Sequence, residues 1–145
     1  MADLNGTPSE LEIKNAQKVK LFLTDIDDIG YEAIREDIFK VVAGSLNCIV
    51  DVEETIVTIA MEVCDIPSDD TKKNALFELL LKLNKDAIHG KFALIEDKVY
   101  VLDNLEIENL DQNELEASLG WVFTIVNNNL EAIAELTDES EAEEN

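Results

Sequence analysis

The hydrophobic positions of this chain switch between two spacings. Ala16, Val19, Phe22, Leu23 and Ile26 recur as on one side of a helix. This predicts a first helix from about Leu11 or Asn15 to about Thr24, opened by the capping box Ser9-Glu10-Leu11-Glu12, with Asn15 as the alternative cap. Asp25-Ile26-Asp27-Asp28-Ile29-Gly30 ends it, with Gly30 suited to left-handed backbone. Residues 31–63 then lose helical spacing and become rich in β-branched side chains. Val50 and Val52 precede Glu53-Glu54, and Val57, Ile59, Met61 and Val63 follow it in strict alternation, the pattern of a hairpin with one buried face. An earlier strand around residues 38–43 joins it through Gly44-Ser45-Leu46-Asn47, while residues 31–36 fit strand or loop.

Pro67-Ser68-Asp69-Asp70-Thr71 is a turn and helix start, with acids where the helix dipole favours them. The helix it opens contains the most apolar helical run of the chain, residues 74–83. At roughly 100° per residue, Leu76, Leu79, Leu80, Leu83 and Ala87 share one face. Phe77, Leu81 and Ile88 fall on a neighbouring one. A helix this apolar is expected to be covered on two sides. His89-Gly90 breaks it. Phe92-Ala93-Leu94-Ile95, the turn Glu96-Asp97 and Val99-Tyr100-Val101-Leu102 predict a second hairpin. Asp111 caps a last helix running to about Leu136, whose core-facing seam is Leu115, Leu119, Val122, Phe123, Val126, Leu130 and Ile133. The order α-βββ-α-ββ-α segregates helices from strands and predicts an α+β fold, with an antiparallel sheet of about five strands and three helices.

Residues 1–10 read as a flexible lead, 11–136 as a single domain, and 137–145 as a disordered acidic tail. Hydrophobic residues make up 46% of the 145, enough for one core. With 33 acidic residues against 11 basic ones the formal charge is −22. Such a surface repels nucleic acid and anionic lipid and favours a cationic partner. No apolar run approaches the ~18 residues a membrane span needs, and the N-terminus lacks the basic flank and apolar core of a signal peptide. The expected location is cytoplasmic.

Candidate chemistry is sparse. Residues 25–36 match a calcium loop in part: Asp25, Asp27, Gly30 and Glu36 occupy the positions for ligands 1 and 3, the turn glycine and the closing glutamate. Ile29 fails as a ligand and Glu32 stands where that loop packs an apolar residue, so the competing reading is an ordinary helix stop. If the first hairpin turns at Glu53-Glu54, Cys48 lies opposite about Ile59. Cys64 is then ~17 Å farther along at ~3.3 Å per residue, beyond the ~7 Å that a disulfide allows between Cα atoms. With a single histidine, His89, and no CxxC, zinc is not expected. No phosphate-binding glycine loop, HExxH or GxSxG occurs. Neither an enzyme nor a cofactor site is expected.

The last helix carries a second apolar stripe. Trp121, Ile125 and Ala132 lie on a different flank from the seam, and Trp121 is the single tryptophan. Such a stripe is a second packing layer or a surface for another chain, and an aromatic anchor is typical of interface centres. The expected function is non-enzymatic binding of a partner protein through an apolar helix face or sheet edge.

Leu80-Leu81-Lys82-Leu83-Asn84, then Gly90-Lys91-Phe92-Ala93-Leu94-Ile95-Glu96-Asp97-Lys98-Val99-Tyr100-Val101, an acidic linker and a long last helix resemble the YbjN-like and YjfI-like families of small bacterial proteins, over roughly residues 15–136. Both are similar in topology to the chaperones of type III secretion. The resemblance implies a small acidic non-enzymatic protein that pairs with a second copy, holds a segment of a client protein, or serves in regulation. It brings no catalytic residues with it.

Overall fold

The computed structural model describes residues 6–137. The tail expected to be disordered, from Asp138 onward, and the first five residues of the expected lead lie outside them. The chain runs α1 (Glu10–Thr24), β1 (Gly30–Arg35), β2 (Ile38–Ala43), β3 (Leu46–Val52), β4 (Ile56–Asp65), α2 (Asp70–Asp86), β5 (Lys91–Ile95), β6 (Lys98–Glu106) and α3 (Gln112–Thr137). The strands form one antiparallel sheet in the order β1-β2-β3-β4-β6-β5. The α+β class holds, with six strands where about five were expected, because residues 30–35 pair with β2 as a full strand.

Local chemistry sets the helix ends. Ser9 accepts from the Glu12 N–H while Glu12 accepts from the Ser9 N–H, the reciprocal box that satisfies two free donors. Asp69 caps α2 through Lys72 N–H, and the Asp111 carboxylate takes the Glu114 N–H at the start of α3. After α1 the left-handed residue is Asp28, with φ 67°, and not Gly30, which opens β1. Aspartate tolerates that conformation better than most residues.

The first hairpin is a four-residue connection, with Val52 opposite Val57. The register is therefore two residues away from the expected one. Val50, not Cys48, faces Ile59. Cys48 and Cys64 are both free thiols. Burial pushes the Cys48 thiol up to about 12, so it is inert packing material.

The inward side of the sheet carries Phe39, Val41, Val50, Ile59, Met61, Val99 and Val101, all in one core cluster with residues of all three helices. From α3 come Leu115, Leu119, Val122, Val126 and Ile133. Val42, Ile49, Ala60 and Leu102, which alternate to the other side of the pleat, stand outside that cluster. Among the described residues the helices thus cover one face of the sheet and leave the other without a helical layer.

Candidate protein-binding surface

Helix α2 breaks the expectation that it is covered on two sides. Leu76 and Leu80 are buried, and Leu79 and Leu83 pack partly against the core. The neighbouring face is open only in part: Phe77 packs partly against the core, while Leu81 is 70% exposed and Ile88, just past the helix end, 77%. Leu94 on edge strand β5 is exposed as well. The sequence contained this signal, since Phe77, Leu81 and Ile88 had already separated as a second face. What it could not give was whether the same chain covers that face. Helix α2 carries four lysines against three acids, in a chain of net charge −22.

The stripe on α3 divides in three. Trp121 is half-buried and sits over the α2–β5 turn: its ring and that of His89 meet edge to face at 6.2 Å, and its enclosed Nε1 has no hydrogen-bond acceptor among the described residues. Ile125 is half-buried against the core, and Ala132 is exposed. The three residues share a helix flank without forming one continuous bare patch.

A groove of about 340 Å³ runs between α1 and the edge of the sheet, lined by Ile13, Ala16, Ala33 and Phe39 with Lys20 and Glu36. Edge strand β1 borders it, so a groove for apolar side chains lies beside a strand with unpaired backbone groups. A second hollow of about 370 Å³ lies beside His89, Asp111 and Ser118. In its wall the Ser118 hydroxyl donates to Asp103 at 2.5 Å.

The calcium reading of Asp25, Asp27 and Glu36 is corrected. Residues 30–35 are extended strand, which carries Glu36 roughly 20 Å beyond Gly30 at ~3.3 Å per residue. Among the described residues no group of three or more histidine, cysteine or acidic side chains is placed to hold a metal. Among them, too, no helix is long and apolar enough to cross a membrane.

Three helices thus lie on one face of an antiparallel sheet, with Leu81, Ile88 and Leu94 exposed on helix and edge. The chain belongs to the type III secretion chaperone family described as CesT_Tir_1, whose model matches residues 12–137. The match is to this chaperone family and does not confirm the narrower YbjN-like and YjfI-like resemblance. No curated protein matches the chain. Among solved structures it is similar to a chain of the heterodimeric ExoU-SpcU complex from the type III secretion system of Pseudomonas aeruginosa. The identity there is 12% and the TM-score 0.51, over 86% of this chain and 95% of that one. It is also similar to a chain of the ExsC-ExsE complex, at 10% identity and TM-score 0.47, over 81% of this chain and 95% of that one.

Proposed function

We propose that this protein is a non-enzymatic, chaperone-like binding module of the cytoplasm, which pairs with a second copy through α2 and holds a segment of a client protein elsewhere on its surface. The observation that carries the reading is the open face of α2, with Leu81 70% and Ile88 77% exposed. Large apolar groups left exposed along a helix and just beyond its end mark an interaction surface. A second copy is the occupant that the charge favours there. Two bodies of this acidity repel over most of their surfaces, but α2 holds four lysines against three acids, so its apolar ridge can approach its own image without that penalty.

Family membership supports the client half of the reading, as does the likeness to a chain of the heterodimeric ExoU-SpcU complex. The groove between α1 and β1 suits an extended segment added at the sheet edge. We place Trp121, Ile125 and Ala132 at a partner contact too, with the ring of Trp121 as its anchor.

Light scattering coupled to size exclusion tests the pairing. The wild type is expected to elute as a dimer and Leu81→Glu as a monomer with an unchanged circular dichroism spectrum. A wild type that stays monomeric at ~100 μM, far above a micromolar dissociation constant, would refute pairing. Trp121→Ala tests the α3 contact: loss of stability with unchanged oligomeric state and partner capture would assign the ring to the core alone.

A further inference from the structure

Acidic residues outnumber basic ones 33 to 11 in this chain, yet residues 13–24, most of α1, carry three lysines and no acid. The two acids of the helix, Glu10 and Glu12, sit in its first turn, where the dipole favours them, and Glu12 accepts from the Ser9 N–H. Lys14, Lys18 and Lys20 follow. Among the described residues none of the three forms an ion pair. The Lys18 ammonium lies over the Phe22 ring instead, 5.8 Å from its centroid. The other helices differ: α2 mixes four lysines with three acids, and α3 has acids and no base.

These lysines frame apolar surface. At roughly 100° per residue their side chains spread over about 160° of the helix, and Leu21, 69% exposed, stands among them. Lys20 also lines the groove of about 340 Å³ beside β1, together with Ile13, Ala16, Ala33 and Phe39. One carboxylate, Glu36, lines it among the described residues. The aliphatic stems of the lysines add to the apolar area while their ammonium groups stay in water. The position of the helix is fixed: the Asn15 side chain donates to the carbonyls of Glu53 and Glu54 at 3.1 and 2.9 Å, which ties α1 to the β3–β4 connection.

We propose that α1 and this groove receive an acidic, apolar segment of a partner protein, its apolar side chains seated on Ile13, Ala16, Leu21 and Phe39 and its carboxylates on Lys14, Lys18 and Lys20. This rests on the reading that the groove holds a client segment, and it names the chemistry of that segment. A net charge of −22 taken alone favours a cationic partner. The surface beside the groove has the opposite sign. At physiological salt, screening acts over about 8 Å, so lysines in contact with the segment outweigh acids on distant parts of the body. Residues 138–145 of the chain itself are the poorer occupant: they offer carboxylates, but Ala142 is their single apolar residue.

The test titrates the full chain, followed by amide NMR, with three short peptides blocked at both ends, in which valine alternates with glutamate, with glutamine or with lysine. The glutamate peptide is expected to shift the amides of Ile13, Gln17, Lys20 and Ala33. It should bind about fivefold tighter than the glutamine peptide, the gain of a few exposed ion pairs. The lysine peptide should leave those amides unmoved. The triple variant Lys14→Gln, Lys18→Gln, Lys20→Gln should bind the glutamate and glutamine peptides equally. Should that variant fail to fold, the three peptides on the wild type decide alone. Equal binding of glutamate and glutamine peptides to the wild type would overturn the acidic preference while leaving the groove as a docking site. Binding of the lysine peptide at these amides, or of no peptide at all, would overturn the proposal outright. So would movement of the α1 amides in peptide-free protein when Glu139, Glu141, Glu143 and Glu144 are changed to glutamine, because the lysines would then belong to the chain's own tail. Pairing through Leu81 is read separately, by light scattering.

Discussion

The side-chain amide of Asn84 pairs with the backbone of Phe92 in both directions. Its Nδ2 donates to the Phe92 carbonyl at 3.0 Å, and its Oδ1 accepts the Phe92 N–H at 2.8 Å. The last turn of α2 thus stands in for a neighbouring strand at the outer edge of β5. Phe92 itself is buried and pairs with Val101 on the inner side. Asn84→Ala leaves a buried N–H and carbonyl without partners, and the expected loss is about 1–3 kcal/mol of unfolding free energy. Urea denaturation measures it. The variant should also exchange the Phe92 amide proton faster than the wild type, because the clamp is what shields it.

Gly90 follows closely on the same turn, with φ 70°. A Cβ built there would lie 3.2 Å from Cδ1 of Trp121 and 3.5 Å from Cγ1 of Val101. Left-handed backbone is costly for any residue with a side chain, and the close approach adds crowding. Gly90→Ala is expected to destabilise by about 1–3 kcal/mol and to alter the tryptophan emission spectrum, since Trp121 is the single fluorophore of its kind. An unchanged spectrum with reduced stability would place the strain in the backbone alone.

These two contacts explain why some of the fold was legible in the sequence. The run Leu80-Leu81-Lys82-Leu83-Asn84 and the strand beginning at Lys91-Phe92 form one stretch because Asn84 reaches across to Phe92. Period-two alternation revealed β3 through β6, and of the two starts the sequence offered for α1 the structure has the capping box at Ser9. Strand β1 was ambiguous because its residues are largely exposed, its sequence Gly30-Tyr31-Glu32-Ala33-Ile34-Arg35 shows no clean alternation, and a bulge interrupts its register between Ala33 and Arg35. The open face of α2 was visible as a second apolar face. Periodicity gives the direction in which a side chain points, not what meets it there. The groove beside α1 had no local signature at all: Ile13, Ala33 and Phe39 come to it from three separate elements.

Leu81→Glu separates interface from fold. At 70% exposure the leucine adds little to the core, so the substitution should change unfolding free energy by no more than about 0.5 kcal/mol. Its effect should fall on association. Placed next to Glu78 and Lys82, which already pair at 2.9 Å, the new carboxylate puts like charges across any two-fold contact between α2 helices. The expected signature is a wild-type Tm that rises with protein concentration and a variant Tm that does not.

Asp37 and Asp51 oppose each other in their dependence on pH. The hydrogen bonds from Arg35 hold the Asp37 carboxyl below its ordinary range, outweighing its burial. A depressed carboxylate stabilises the fold above its unfolded-state pKa and loses that contribution as the pH falls through the lower folded value. Asp51 runs the other way. Burial, Glu53 and Asp37 raise it, so its ionisation in the fold is penalised, and the penalty grows as the pH rises from the unfolded value through the raised folded one. Urea unfolding of three proteins between about pH 3 and 8 separates the two, a window that brackets the ordinary carboxylate range. Asp51→Asn should be more stable than the wild type at pH 7, with the gain shrinking as the solution is acidified and Asp51 takes up its proton. Asp37→Asn should be less stable at pH 7, and its deficit should persist to lower pH than the Asp51 gain does, because the proton that would cancel it binds more weakly. If both differences vanish at the same pH, the two carboxyls share one environment and the assignment of Arg35 to Asp37 alone is wrong.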